Sequence, residues 1–330
     1  MLVVIRCCSI LALLLATSAV SFAQTPSSYP DRPVRLVVAF PPGGATDTMT
    51  RQITQELGEA LGQSVVIENK PGAGGYIAWN QVAAADPDGY TLLMAENALA
   101  ISQALYKKHA SSFDPLKQYD ALASVATSGV VLVAAGNVQA SSLAELITYS
   151  RSVPQKLNYA SAGIGSMSHM SFEAVKAATG LETVHVPYKG GGPAMNDVIA
   201  GHVALNMAAV QVAKGLIETG KIKGLVLTSL ERSPALPQVP TLRELGIKTA
   251  DVDLRFWFAL FGPKGLPDAV KAKLEKAVAT TLAQARVRER LAALDIEPSY
   301  TPGSAMRSKL ETEITNWTKF IDERGIKPEQ

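Results

Sequence analysis

The 330-residue chain is 47% hydrophobic and 18% charged, with 31 basic and 29 acidic side chains and a net charge of +2. This is the composition of an ordinary soluble globular protein, and no basic patch stands out, which argues against a nucleic-acid partner. Beyond the N-terminus no segment is long and apolar enough to enter a bilayer.

Met1 to Ala23 holds a lone Arg6, the apolar run SILALLLATSAV, then Ser21-Phe22-Ala23 before Gln24. Small residues at −3 and −1 predict a signal peptide over residues 1–23, cleaved after Ala23, and hence export. The apolar run is shorter than the ~20 residues of a membrane span. The only cysteines, Cys7 and Cys8, precede that run. Cleavage therefore leaves a mature chain without disulfides, thiolate chemistry or cysteine metal sites. The ~307 residues that remain are more than one core comfortably serves, so two domains are expected.

Short apolar or β-branched runs at 34–40, 64–69, 90–95, 130–135, 156–161, 182–188, 203–209 and 223–229 read as buried strands. Helical patterns at 47–61, 75–85, 142–152, 166–179, 192–200 and 211–219 alternate with them. Such alternation predicts an α/β fold of mostly parallel sheets flanked by helices, with ligands at the carboxyl ends of the strands. After Gly224 the proline-punctuated stretch ERSPALPQVPTLRELGI reads as a connector. Helices follow at Asp268–Leu282, at Val287–Leu294, and after Pro302. The last carries Leu310, Ile314, Trp317 and Ile321 on one stripe and Gly325 past its end.

Four of the strands run into glycine-rich turns that open helices. VRLVVAF leads to PPGGATD, SVVIENK to PGAGG, LNYASA to GIGSMSH and ETVHVPY to KGGGPAM. Unpaired N–H groups at helix starts, with the helix dipole, bind anions. In the first turn Gly43-Gly44 permits positive φ and close ligand approach, and Asp47 is either a cap or a ligand contact. In the third, Ser161, Ser166 and Ser168 offer hydroxyls to a carboxylate or cap the helix. In the fourth, Tyr188 can wall a pocket with its hydroxyl on the ligand, and Lys189 is a carboxylate partner or a solvated lysine. Phe256, Trp257 and Phe258 read as core, one of them facing the cleft.

Other chemistries find little support. PGAGG lacks the Lys-Ser/Thr pair of a P-loop, and Ser168 stands where GIGSMS would need its third glycine to bind a dinucleotide. His109, His169, His185 and His202 show no metal-binding spacing, so neither a metal nor a cofactor is expected. Ser166 and His169 invite a serine-hydrolase reading, but no G-x-S-x-G elbow surrounds them.

FPPGGATD, IENKPGAGG, DPDGYTLL, YASAGIGSMSHMSFE, TVHVPYKGGGPAMNDVIAG and RSPALPQVPTL, in that order, resemble the Bug family. These are periplasmic solute-binding proteins of tripartite tricarboxylate transporters. The resemblance implies a two-lobed, type II periplasmic-binding-protein (Venus-flytrap) fold. Residues 24–124 plus 229–330 would form the first lobe, and 125–228 the second. It further implies a carboxylate ligand held by Gly43, Gly44, Thr46, Asp47, Ala73, Gly74, Ser161, Gly163, Ser166, Tyr188 and Gly190, with Asn97 as a floor contact. Relatives that bind amino acids tend to carry an aspartate where this chain has Ala208. The departure points to a mono- or dicarboxylate, aromatic ones included, rather than an amino acid. The implied protein is a monomeric, non-enzymatic carrier that delivers its ligand to membrane permease subunits. A sensor of the same fold and a secreted serine hydrolase are the alternatives.

Overall fold

The computed structural model describes residues 29–106, 113–153, 155–249 and 251–328. The expected signal peptide and His109 lie outside them.

β1 (Val34–Val38), β2 (Val65–Asn69) and β3 (Thr91–Glu96) form a parallel group, with β1 in the middle. Three further strands extend that sheet from β3: β10 (Phe256–Pro263), β4 (Tyr119–Ser128) and β11 (Ile296–Pro302). All their pairings are antiparallel. The second sheet has the order β7-β6-β8-β5-β9, built from β5 (Val130–Ala135), β6 (Leu157–Ser161), β7 (Thr183–Pro187), β8 (Leu205–Ala209) and β9 (Ile222–Leu227). There β6 pairs in parallel with β7 and β8, while β5 runs antiparallel to β8 and β9.

Both sheets are thus mixed, not mostly parallel. The antiparallel pairings all involve the strands that carry the chain between the sheets, β4 into β5 and β9 out towards β10, or β11 beside them. A strand that enters from the opposite lobe arrives running against the local βαβ units, so the two-lobed connectivity itself mixes the sheets. β4, with the sequence YDALASVATS, lacks the apolar run that marks its neighbours. It is a strand because β10 and β11 satisfy its backbone on both sides.

Helices cover the faces. In Gly303–Arg324, Leu310, Ile314, Trp317 and Ile321 are all buried, and Gly325 closes the helix at φ +62°. Trp317 is fully buried and bonds Glu313 Oε2 at 2.9 Å through its indole N–H. Truncation of such a side chain costs about 3–5 kcal/mol. Among the described residues no helix is long and apolar enough to cross a membrane.

Candidate functional site

Three strand ends deliver helix starts to one cavity between the lobes. After β1 comes helix Ala45–Leu61, whose N-cap, Gly44, has no side-chain cap bond. After β6 comes helix Met167–Thr179, with Ser166 as N-cap. After β7 comes helix Gly191–Ile199, capped by Gly190 with no side chain. Gly44, Ala45 and Thr46 line the cavity from the first lobe, and Ser166, Met167, Ser168 and Gly191 from the second. Its volume is about 60 Å³, several times the ~10–15 Å³ that holds one water molecule.

The first turn is built around a carboxylate. Asp47 is only 2% exposed. Its side chain accepts from Gly43 N at 2.9 Å, Arg51 Nε and Nη2 at 2.9 and 2.8 Å, and Asn69 Nδ2 at 3.0 Å. Burial pushes its pKa up, but the bonds from Arg51, Gly43 and Asn69 outweigh burial and hold it below the usual carboxylate range. Asp47 is therefore spent on the turn and does not line the cavity, which corrects its expected place among the ligand contacts. Gly43 is corrected with it, because its N–H is the one Asp47 takes. Gly43 has φ +80°, whereas Gly44 at φ −76° adopts a conformation open to any residue.

The second turn is built from hydroxyls and imidazoles. Ser166 Oγ donates to Gly163 O at 2.6 Å and accepts from His169 N at 3.3 Å. Ser168 Oγ accepts from Ala162 N at 2.9 Å, and His169 Nδ1 accepts from Gly165 N at 3.2 Å. Below them Ser161 Oγ meets His185 Nε2 at 2.6 Å, and the His185 and His169 rings stack 4.2 Å apart. Burial drives both imidazoles neutral, to about 4 for His169 and about 3 for His185, where the neighbouring His169 adds to the shift. Ser166 and His169 meet through the backbone N–H of the histidine and not through its ring, so they form no nucleophile–base pair. Ser161 is fully buried and engaged by Gly163 and His185, which removes it from the expected ligand contacts.

Gly43, Gly163, Gly165 and Ser166 thus spend their own N–H groups inside the turns. At the helix starts that line the cavity, N–H groups without partners among the described residues lie one step further on. They belong to Ala45, Thr46, Met167, Ser168 and Gly191, the first residues of their helices. Among the described residues no lysine, arginine or histidine lines the cavity. An anion there is met by backbone amides, helix dipoles and neutral polar side chains.

The remaining expected residues divide. Ala73, Gly74, Gly163, Tyr188 and Lys189 line a second, larger part of the cleft, of about 880 Å³, on the far side of Phe40 and Ala162. Tyr188 keeps its hydroxyl for Asp197 Oδ2 at 2.5 Å, not for a ligand. Gly190 sits where the lobes touch: a Cβ there would lie 2.6 Å from Pro41 Cδ. Asn97 is fully buried, with Nδ2 donating to Arg255 O and Oδ1 accepting from Trp257 N. It ties β3 to the start of β10 and is no floor contact.

The floor is its neighbour. Glu96 lines the cavity at 4% exposure, accepting only from Ala98 N at 3.0 Å. Burial raises its pKa to about 7, against the smaller lowering by that N–H. Asn206, in β8, also lines the cavity, and its Oδ1 has no hydrogen-bond partner. Phe40, Met167, Met195, Met207, Val212 and Phe256 make the walls apolar. Phe256 is thus the aromatic of its trio that faces the cleft. Ala208 lines the cavity as well, so the position without an acid is where the sequence put it. The acid of this cavity comes from the other lobe. Sequence reading chose Asn97 and passed over Glu96; the signal was an acid ending the apolar run TLLMAE.

Two α/β lobes aim three helix starts into one apolar cavity between them, the arrangement of a solute-binding protein. Residues 49–326 match the family described as tripartite tricarboxylate transporter family receptor, and the chain belongs to that family. It is 35% identical to a UPF0065 protein of Bordetella pertussis, over 97% of this chain and 96% of that one. Among solved structures it resembles the periplasmic binding protein BugD, with a TM-score of 0.86 and 33% identity over 91% of this chain and 100% of that one. It also resembles Rhodopseudomonas palustris Rpa4515 with adipate (TM-score 0.85, 33% identity, 91% and 100% covered). A third neighbour is MatC from the same organism with bound malate (TM-score 0.80, 34% identity, 88% and 99% covered). The Bug resemblance and the two-lobed fold hold.

Proposed function

We propose that this protein captures a small organic carboxylate in the periplasm and hands it, as a monomer, to the permease subunits of a tripartite tricarboxylate transporter. The observation that carries this reading is the cavity itself: residues with unpartnered N–H groups at three helix starts line an apolar space that, among the described residues, no cationic side chain enters. The class is a mono- or dicarboxylate with an apolar or aromatic body suited to the methionine and phenylalanine walls. Adipate and malate in the two neighbours support the class. The carboxylate rests on Ala45, Thr46, Met167, Ser168 and Gly191, with the Ser166 hydroxyl beside it. Ala73, Gly74, Gly163 and Tyr188 frame the outer cleft. Gly129 and the segment between β9 and β10 join the two lobes. Export with cleavage after Ala23 belongs to the same reading.

A thermal-shift screen over small carboxylates tests it. A ligand at ~100 times its Kd adds roughly 2.7 kcal/mol, on the order of 5–10 °C in Tm for a chain this size. Nucleotides and divalent metals are expected to leave the melt unchanged. A nucleotide response with none from any carboxylate would overturn the reading.

A further inference from the structure

Two acceptors without donors share the cavity. Glu96 Oε2 accepts from Ala98 N, while Oε1 has no hydrogen bond among the described residues. Asn206 Oδ1, from the opposite lobe, is buried and unpartnered. A buried acceptor left unmade is costly, and Asn206 Oδ1 is one; with the Glu96 carboxylate lining the same cavity, the site is completed by a ligand that donates. The helix starts supply donors and receive the carboxylate, while Glu96 and Asn206, lining the same cavity from opposite lobes, supply acceptors.

We propose, resting on the carboxylate reading above, that Glu96 with Asn206 selects a carboxylate whose second polar group is a hydrogen-bond donor, an ammonium or a hydroxyl. A second carboxylate brought against Glu96 meets it as a like charge. This reverses the expectation drawn from Ala208, because the acid that an ammonium needs arrives from β3 and not from β8. Among the described residues Glu96 is the one ionisable side chain lining the cavity. Opposite it on β10 stands Phe258, and the Ala98–Tyr106 helix offers it only the Ala98 N–H. Arg255, just before β10, is held by Asp253 at 3.1 Å. With its pKa near 7, Glu96 also gives the two donor types different signatures.

Calorimetric titration of the full mature protein with matched four-, five- and six-carbon series tests this. Each series comprises the unsubstituted monocarboxylate, the α,ω-dicarboxylate, the ω-hydroxy acid and the ω-amino acid, at pH 6 and pH 8. A donor-ended ligand is expected to bind about tenfold or more tightly than both the unsubstituted acid and the dicarboxylate of equal length. In E96Q that ratio collapses. If the donor is an ammonium, wild-type affinity falls about tenfold from pH 8 to pH 6, as Glu96 takes up a proton. A hydroxyl, able to donate or accept, shows little change. A dicarboxylate that binds best, and tighter at pH 6, overturns the proposal while leaving carboxylate capture intact. Equal binding across a series does the same. Binding of no carboxylate at all overturns both. The wild-type ratios decide the matter even if E96Q fails to fold.

Discussion

The two lobes solve one problem with different chemistry. In the first, a buried carboxylate, Asp47, gathers Gly43 N, Arg51 and Asn69, and the turn is an ionic scaffold. In the second, Ser166 and Ser168 hold the turn, over His169, His185 and Ser161, all neutral. Both leave the same product, a helix start with unpartnered N–H groups. The difference teaches that a free helix terminus is a constructed feature: side chains must first absorb the amides of the turn without intruding on those of the helix. It also gives the lobes opposite sensitivities.

The largest contrast is expected on removing each scaffold. Asp47→Ala leaves Gly43 N and Asn69 without their acceptor and Arg51 without its partner. The cost is about 3 kcal/mol in chemical denaturation, towards the lower end for a broken buried pair because Arg51 is half exposed. A loss below about 1 kcal/mol would show that the carboxylate does not organise the turn.

Acidification sharpens the comparison. His169 is neutral in the fold with its pKa depressed to about 4. The unfolded chain takes up its proton first, so stability of the second lobe falls as pH drops from about 6.5 towards 4. Glu96 and Glu313 are shifted the other way, to about 7, each chiefly by burial. Their contribution is present below about 4.5 and is lost as pH rises through 7. Each group contributes a slope of roughly 1 kcal/mol per pH unit inside its window. Hydrogen exchange resolved by lobe, at pH 5 and 7, is expected to show the second lobe opening more readily at pH 5 and the first at pH 7. Parallel behaviour of the two lobes would break the contrast.

Smaller effects follow at the rim of each turn. Ser166→Ala loses one cap bond, about 1 kcal/mol of stability, and weakens carboxylate binding by about tenfold or less, because the hydroxyl's one proton is given to Gly163 O. Lys189→Ala is expected to change affinity the least, under about threefold, because Lys189 is exposed at the outer cleft. A complete loss of binding in Lys189→Ala with Ser166→Ala unaffected would make the site a salt bridge.

How much of this could be read in the sequence follows the same physics. The glycine turns, the strand–helix alternation and the Leu310–Trp317 stripe were legible because period and turn chemistry are local. β4 and β11 were not, since their strand character comes from partners distant in sequence. At the site, the turns chosen from sequence border the cavity, but not every residue chosen in them lines it. Gly43, Asp47 and Ser161 stand in those turns, yet hydrogen bonds to Asp47 and His185 decide that they build the site without touching its cavity. Glu96 was hidden for a related reason: only the burial of β3's end on both sides turns an ordinary glutamate into a pocket floor.

The central claim is that backbone amides at the helix starts of both lobes, and no cationic side chain, hold the carboxylate. Amide-resolved NMR during titration with the tightest carboxylate from the thermal-shift screen tests it most directly. Downfield movement of the Ala45, Thr46, Met167, Ser168 and Gly191 amide protons, saturating together, is the predicted result. Unmoved amides at these five positions, with the response instead in lysine or arginine side-chain signals, would contradict the account.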